Sequence, residues 1–142
     1  MQTGMGTSRA IENKRIFVVD SDEVVRAALQ FILHDENEAH ELAGVEEAFI
    51  IRAGRQVDLV LLGSEIVREK GFGVFKLIEE NIPGARILVV TDASSQGFEQ
   101  SCLRSGADGV LLKPFTVESA RQRVDAILGR ARLNRDPAVN LR

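Results

Sequence analysis

The residues able to do chemistry sit directly after short apolar runs. "IFVV" (16–19) is followed by Asp20, Ser21 and Asp22, and "LVLL" (59–62) by Gly63, Ser64 and Glu65. "ILVV" (87–90) leads into Thr91 and Asp92, and "GVLL" (109–112) into Lys113 and Pro114. Acid, hydroxyl and lysine together suit phosphoryl chemistry on a carboxylate. Carboxylates hold Mg²⁺, which wants oxygen ligands, while a hydroxyl and an ammonium bind the transferred oxygens. Each residue alone also has a plainer role. Asp22 and Glu23 favour a helix amino terminus, Thr91 suits a turn, and Lys113 suits solvent. Their recurrence at successive strand ends points to a site, or to the descendant of one.

The elements that must position them follow from periodicity. The apolar runs are nearly continuous, as expected of strands buried on both faces of a parallel sheet. Val24, Val25, Ala28, Leu29, Ile32 and Leu33 recur at helical spacing, as do Phe72, Phe75 and Ile78, and then Val117, Ala120, Val124, Ile127 and Leu128. Residues 94–105 form a weaker helix whose apolar face is Phe98, Cys102 and Leu103, ended by Gly106. A weak strand over 40–45 precedes a short helix from about 46 to 53, closed by Gly54. Strand and helix alternate five times, which predicts a doubly wound α/β domain with right-handed crossovers. In such sheets ligands bind beyond the carboxyl ends of the strands, where these polar residues meet. The expected boundaries are a disordered tail over 1–13, one domain over 14–129, and a basic tail or linker over 130–142.

A chain of 142 residues buries roughly 70% of its unfolded surface as one domain. With 44% hydrophobic and 27% charged residues it reads as a soluble globular protein. A net charge of −3 argues against a general attraction to nucleic acid or anionic lipid. The single cysteine, Cys102, excludes an internal disulfide and fits a reducing compartment. With no signal-like segment and no apolar run approaching a membrane span, a cytoplasmic location is expected. His34 and His40 lack metal-ligand company and read as surface residues.

The stretches "IFVVDSDEVVRAAL", "VDLVLLGSEIVREKGFGVFKLI", "RILVVTDA" and "GADGVLLKPF" resemble the receiver domain of bacterial two-component response regulators over residues 15–128. The resemblance implies a flavodoxin-like (βα)5 fold, strand order 2-1-3-4-5, and a cis Lys113–Pro114 bond. It also implies a pocket made of Asp20, Ser21, Asp22, Gly63, Glu65, Thr91, Asp92 and Lys113. In the family an acidic pair binds Mg²⁺; Asp20 is retained and Ser21 replaces the second acid. Gly63 takes the place of the phosphoacceptor aspartate, while Thr91 and Lys113 match the family's hydroxyl and lysine. Val110 replaces the aromatic switch residue. The expectation is therefore a degenerate pseudo-receiver that is not an enzyme and has no resident metal. Asp20 is the one weak metal candidate, with Mg²⁺ binding weak or absent. Asp58 cannot substitute for the acceptor, because about five residues of strand put it roughly 16 Å away. Glu65 and Asp92 are better placed, and one of them is expected to pair with Lys113.

"IFVVDSDEVV" also resembles the opening of haloacid-dehalogenase phosphatases, whose Asp-x-Asp supplies a nucleophile and a general acid. The chain lacks that family's last metal-binding element beyond Lys113. An unconventional phosphate- or anion-binding receiver is the other alternative. A nucleotide-binding flavodoxin-like protein fits less well, because Asp20, Asp22 and Glu23 would repel a phosphate. The preferred expectation is a phosphorylation-independent signalling module that acts by protein–protein contact. Family resemblance puts its interaction face on the fourth helix, fifth strand and fifth helix: Arg104, Asp108, Val110, Arg121 and Arg123. A homodimer would use the same face. Phe98 reads as a core contact and Cys102 as an unreactive helix-face residue. Nucleic-acid binding by this chain is not expected.

Overall fold

The computed structural model describes residues 13–52, 54–92 and 96–130. All but the last residue of the first predicted tail, and all but the first of the second, lie outside them. Five strands form one parallel sheet: β1 (Lys14–Val19), β2 (Asn37–Leu42), β3 (Leu59–Gly63), β4 (Arg86–Asp92) and β5 (Gly109–Lys113). Their spatial order is β2-β1-β3-β4-β5, and every pair is parallel. The helices are α1 (Glu23–Leu33), α2 (Val45–Ile51), α3 (Ser64–Lys70), α4 (Val74–Asn81), α5 (Gln96–Ser105) and α6 (Val117–Leu128). This is the flavodoxin-like doubly wound fold that the sequence resemblance implied. The Lys113–Pro114 bond is cis.

The pleat explains why the central strands read as unbroken apolar runs. Phe17, Val19, Val60, Leu62 and Val89 face a core completed by Val67, Phe75, Ile78 and Cys102. Their neighbours Ile16, Val18, Leu61, Leu88 and Val90 face a second core with Leu29, Leu33, Ala120 and Val124. Alternate side chains go to opposite faces, and both faces are covered by helices.

Two elements differ from the sequence expectation. The second strand starts at Asn37, three residues before the expected 40, and consists of polar "NEAHEL". It is an edge strand, bonded only to β1, so only Asn37 and Leu42 are buried and no apolar run marks it. The third crossover is split. Residues 64–70 are already helical, with Ile66 and Val67 buried, and Gly71 at φ 86° ends that helix. A second helix begins at Val74, leaving Phe72 in the turn. Only two buried apolar positions support the first piece, too few for a periodic signal in sequence.

The helix ends lie where local chemistry puts them. Asp22 Oδ1 accepts the N–H groups of Val24 and Val25 at 2.9 and 3.2 Å, capping α1. Thr116 and Ser119 exchange side-chain-to-backbone bonds of 2.9 Å in a capping box at the start of α6. The short helix α2 stops at Ile51, with Arg52 as its cap residue, rather than at 53.

Candidate functional site

Asp20 follows the last residue of β1 at the carboxyl edge of the sheet. It is 4% exposed. Its Oδ1 accepts the Asp22 N–H at 2.8 Å, and its carbonyl accepts from the Arg26 guanidinium at 2.8 Å. Its own N–H donates to the Leu42 carbonyl at 3.1 Å, tying it to the end of β2. Burial pushes the Asp20 carboxyl above its ordinary pKa, overcoming the Asp22 N–H and the positive charge of Lys113, which favour the carboxylate.

Gly63 ends β3 beside it. An ideal Cβ built on Gly63 would lie 2.5 Å from both Cγ and Oδ2 of Asp20, and 2.7 Å from Oδ1. The Asp20 carboxylate thus lies where a side chain at position 63 would begin. Ser21 is exposed, and Asp22 is committed to capping α1.

Thr91 is fully buried, and its Oγ1 has no hydrogen-bond partner among the described residues. By the alternation of β4 it belongs to the face of Ile87 and Val89, whereas Gly63 pairs with Val90 on the other. Asp92 and Lys113 stand in register at the ends of β4 and β5. Of the two acids expected to reach Lys113, Glu65 instead lies 4.0 Å from Arg68 on its own helix. At the start of α3, Arg68 is its i+3 neighbour.

The expected interaction face is less uniform than its sequence suggested. It corresponds here to α5, β5 and α6, because the split crossover adds a helix. Arg104 and Arg123 are exposed, and Val110 is buried at 8% exposure. Asp108 is committed to the sheet's other edge, where its Oδ2 accepts the Ile87 N–H at 2.8 Å. Arg121 turns to α1, donating to the Ile32 carbonyl at 3.3 Å and to Asp35 at 3.1 Å. It is a bridge between α6 and α1 rather than part of a surface on β5. Exposed apolar side chains that the expected face did not include, Leu112 and Val117, lie on β5 and α6, with Leu103 on α5. Phe98 packs against the core under the Arg68 guanidinium, 4.2 Å above its ring. Burial raises the Cys102 thiol to about 11, which makes it unreactive as a thiolate.

The residues present do not fit the divalent cation that family resemblance implies. Among the described residues no group of three or more His, Cys, Asp or Glu side chains could hold a metal ion. Asp20, the one buried acid of the edge, is turned onto Gly63 and engaged by the Asp22 N–H. Arg26 is a site residue that sequence reasoning missed; a helical arginine gives no signal that it reaches back to a strand-end carbonyl.

The fold and the strand-end residues define a receiver-type α/β domain. The profile of the response regulator receiver domain matches residues 16–125, and the chain belongs to that family. It is 34% identical over 128 residues to the response regulator MprA of Mycobacterium ulcerans, covering 89% of this chain and 55% of that protein. A similar match, 34% over 120 residues, relates it to MprA of Mycobacterium bovis, with 83% and 52% covered. The chain thus spans about half the length of these relatives. Among solved structures, a response regulator from Thermotoga maritima superposes with a TM-score of 0.74 at 22% identity, covering 82% of this chain and 98% of that one. A two-component response regulator from Clostridium difficile gives 0.72 at 25% identity, covering 87% and 100%. Among the described residues no helix is long and apolar enough to cross a membrane.

Proposed function

We propose that this chain is a pseudo-receiver: a receiver domain that signals through protein contact without being phosphorylated. One observation carries the reading. The end of β3 offers a glycine, and the neighbouring Asp20 carboxylate fills the space above it. Glycine has no oxygen to form an acyl phosphate. A single acid beside Ser21 is a poor match for Mg²⁺, which dehydrates reluctantly for weakly charged sites. Val110 supplies no aromatic ring to follow Thr91. The domain accordingly has one resident state and no catalytic turnover of its own. The phosphatase alternative is not favoured, since Asp22, its would-be general acid, is spent on the α1 cap.

The partner is a protein of a signalling pathway, engaged through exposed parts of α5, β5 and α6. Leu103, Leu112 and Val117 supply apolar contact there, with Arg104 and Arg123 beside them. A second copy of the chain is one such partner. For comparison, the NtrC4 receiver domain, whose fold is shared at a TM-score of 0.71, has been solved as a beryllofluoride-activated dimer. The test is exposure to acetyl phosphate with Mg²⁺, followed by intact-protein mass measurement. The reading expects no phosphoryl adduct. A labile adduct that disappears on Asp20→Asn substitution would overturn it.

A further inference from the structure

Gly63 has a backbone that any residue adopts, φ −66° and ψ 143°. The glycine is therefore not required by a left-handed turn. What a side chain would meet is Asp20, whose carboxyl atoms are the three nearest to an ideal Cβ, at 2.5–2.7 Å. Real Cβ atoms do not pack at that separation, so one of the two must give way. The Asp20 carboxyl is held by the Asp22 N–H on its Oδ1, and its backbone is anchored by Arg26 on its carbonyl and by its own N–H on Leu42.

We infer that Asp20 and Gly63 are a size-matched pair in which Asp20 closes the end of β3 from within, so that any side chain at position 63 must evict it. The site is then closed by more than a missing acceptor. An aspartate placed at 63 meets a carboxylate already in its space. It gains access only by driving Asp20 off the Asp22 N–H, at the cost of that hydrogen bond. The same closure keeps Asp20 turned away from a cation arriving at the sheet edge. This property belongs to the pair and does not depend on which protein the domain contacts.

A double-mutant cycle tests it. In the natural chain, Gly63→Ala is expected to lower the thermal unfolding midpoint by roughly 3–6 °C. In an Asp20→Ala background the same change should cost about 1 °C or less, because the obstructing carboxylate is gone. The Asp22 amide resonance in Gly63→Ala should move as it does in Asp20→Ala, since both remove its acceptor. Equal midpoint losses in the two backgrounds, or an unmoved Asp22 amide, would overturn the inference. Should Gly63→Ala fail to fold alone, the double variant must fold; a double variant that also fails counts against the pair. These outcomes are independent of the acetyl phosphate result, so the closure and the proposed function can fail separately.

Discussion

Glu38 and Asp20 sit near opposite ends of the same sheet, and their surroundings push their carboxyls in opposite directions. Near the amino-terminal end, Glu38 lies 2.7 Å from His40 Nε2 and accepts from Arg55 at 2.9 Å and Arg15 at 3.1 Å. The His40 bond first, then the two guanidiniums, hold its carboxyl down at about 2. Nearby acids at that end are equally occupied. Asp58 accepts the Arg15 N–H at 2.8 Å, and Asp125 pairs with Arg130 at 3.0 Å. Arg130 in turn reaches Asn37 at 2.9 Å, and Arg15 closes the end of α2 through the Ile51 and Arg52 carbonyls. At the carboxyl end, Asp20 is buried with its pKa raised, and Thr91 is fully buried near the end of β4.

The difference separates an end held by charge pairs from an end where an acid is buried. Ion pairs and arginine hydrogen bonds at the amino end tie β1, β2, α2 and the end of α6 to one another. The carboxyl end, where doubly wound sheets bind their ligands, carries Asp20 over Gly63 and the buried Thr91 hydroxyl.

Breaking the amino end should cost most. Asp125→Ala removes a nearly buried carboxylate bonded to Arg130 at 3.0 Å, and a loss of about 2–3 kcal/mol is expected in urea unfolding. A loss below about 1 kcal/mol would mean the pair is solvated. Glu38→Gln should cost less, about 1–2 kcal/mol at neutral pH, because a third of that side chain still meets water. Its pH dependence is diagnostic. A carboxyl lowered from 4.5 to about 2 contributes stability above pH 4.5 that is lost as pH falls toward 2. The gap between variant and natural chain should therefore narrow on acidification; a gap constant from pH 7 to 3 would refute this assignment.

The smallest effect has the opposite sign. The Asp20 pKa is raised above 3.8, so the natural chain is favoured below that pH and loses this contribution as pH rises through the folded value. Asp20→Asn keeps an acceptor for the Asp22 N–H while removing the buried charge. It should be neutral at pH 3 and stabilising by up to about 1 kcal/mol at pH 7. Destabilisation at pH 7 would mean that the attraction to Lys113 outweighs burial.

Much of this was legible in the chain. The central strands announce themselves as apolar runs because both faces are covered, and parallel topology then brings Asp20, Gly63, Asp92 and Lys113 to one edge. The edge strand was displaced because β2 needs only Asn37 and Leu42 inside. The helix α3 was missed because its buried face is Ile66 and Val67 alone. Within the site, the residue types were readable but the contact was not. That Asp20 leans over Gly63 depends on β1 and β3 being neighbours and on the rotamer Asp22 stabilises. Arg121 illustrates the same limit. Its spacing on α6 said surface, while its partners Ile32 and Asp35 lie far away in sequence on α1 and in the turn after it.

The most direct test of the account is an amide NMR titration of the natural chain with Mg²⁺ and beryllofluoride, a mimic of the acyl phosphate. The account predicts no saturable shifts at Asp20, Gly63, Thr91 or Lys113. Saturable shifts centred on those residues would contradict it, because the edge would then bind a phosphate-like group despite the glycine and the carboxylate folded over it.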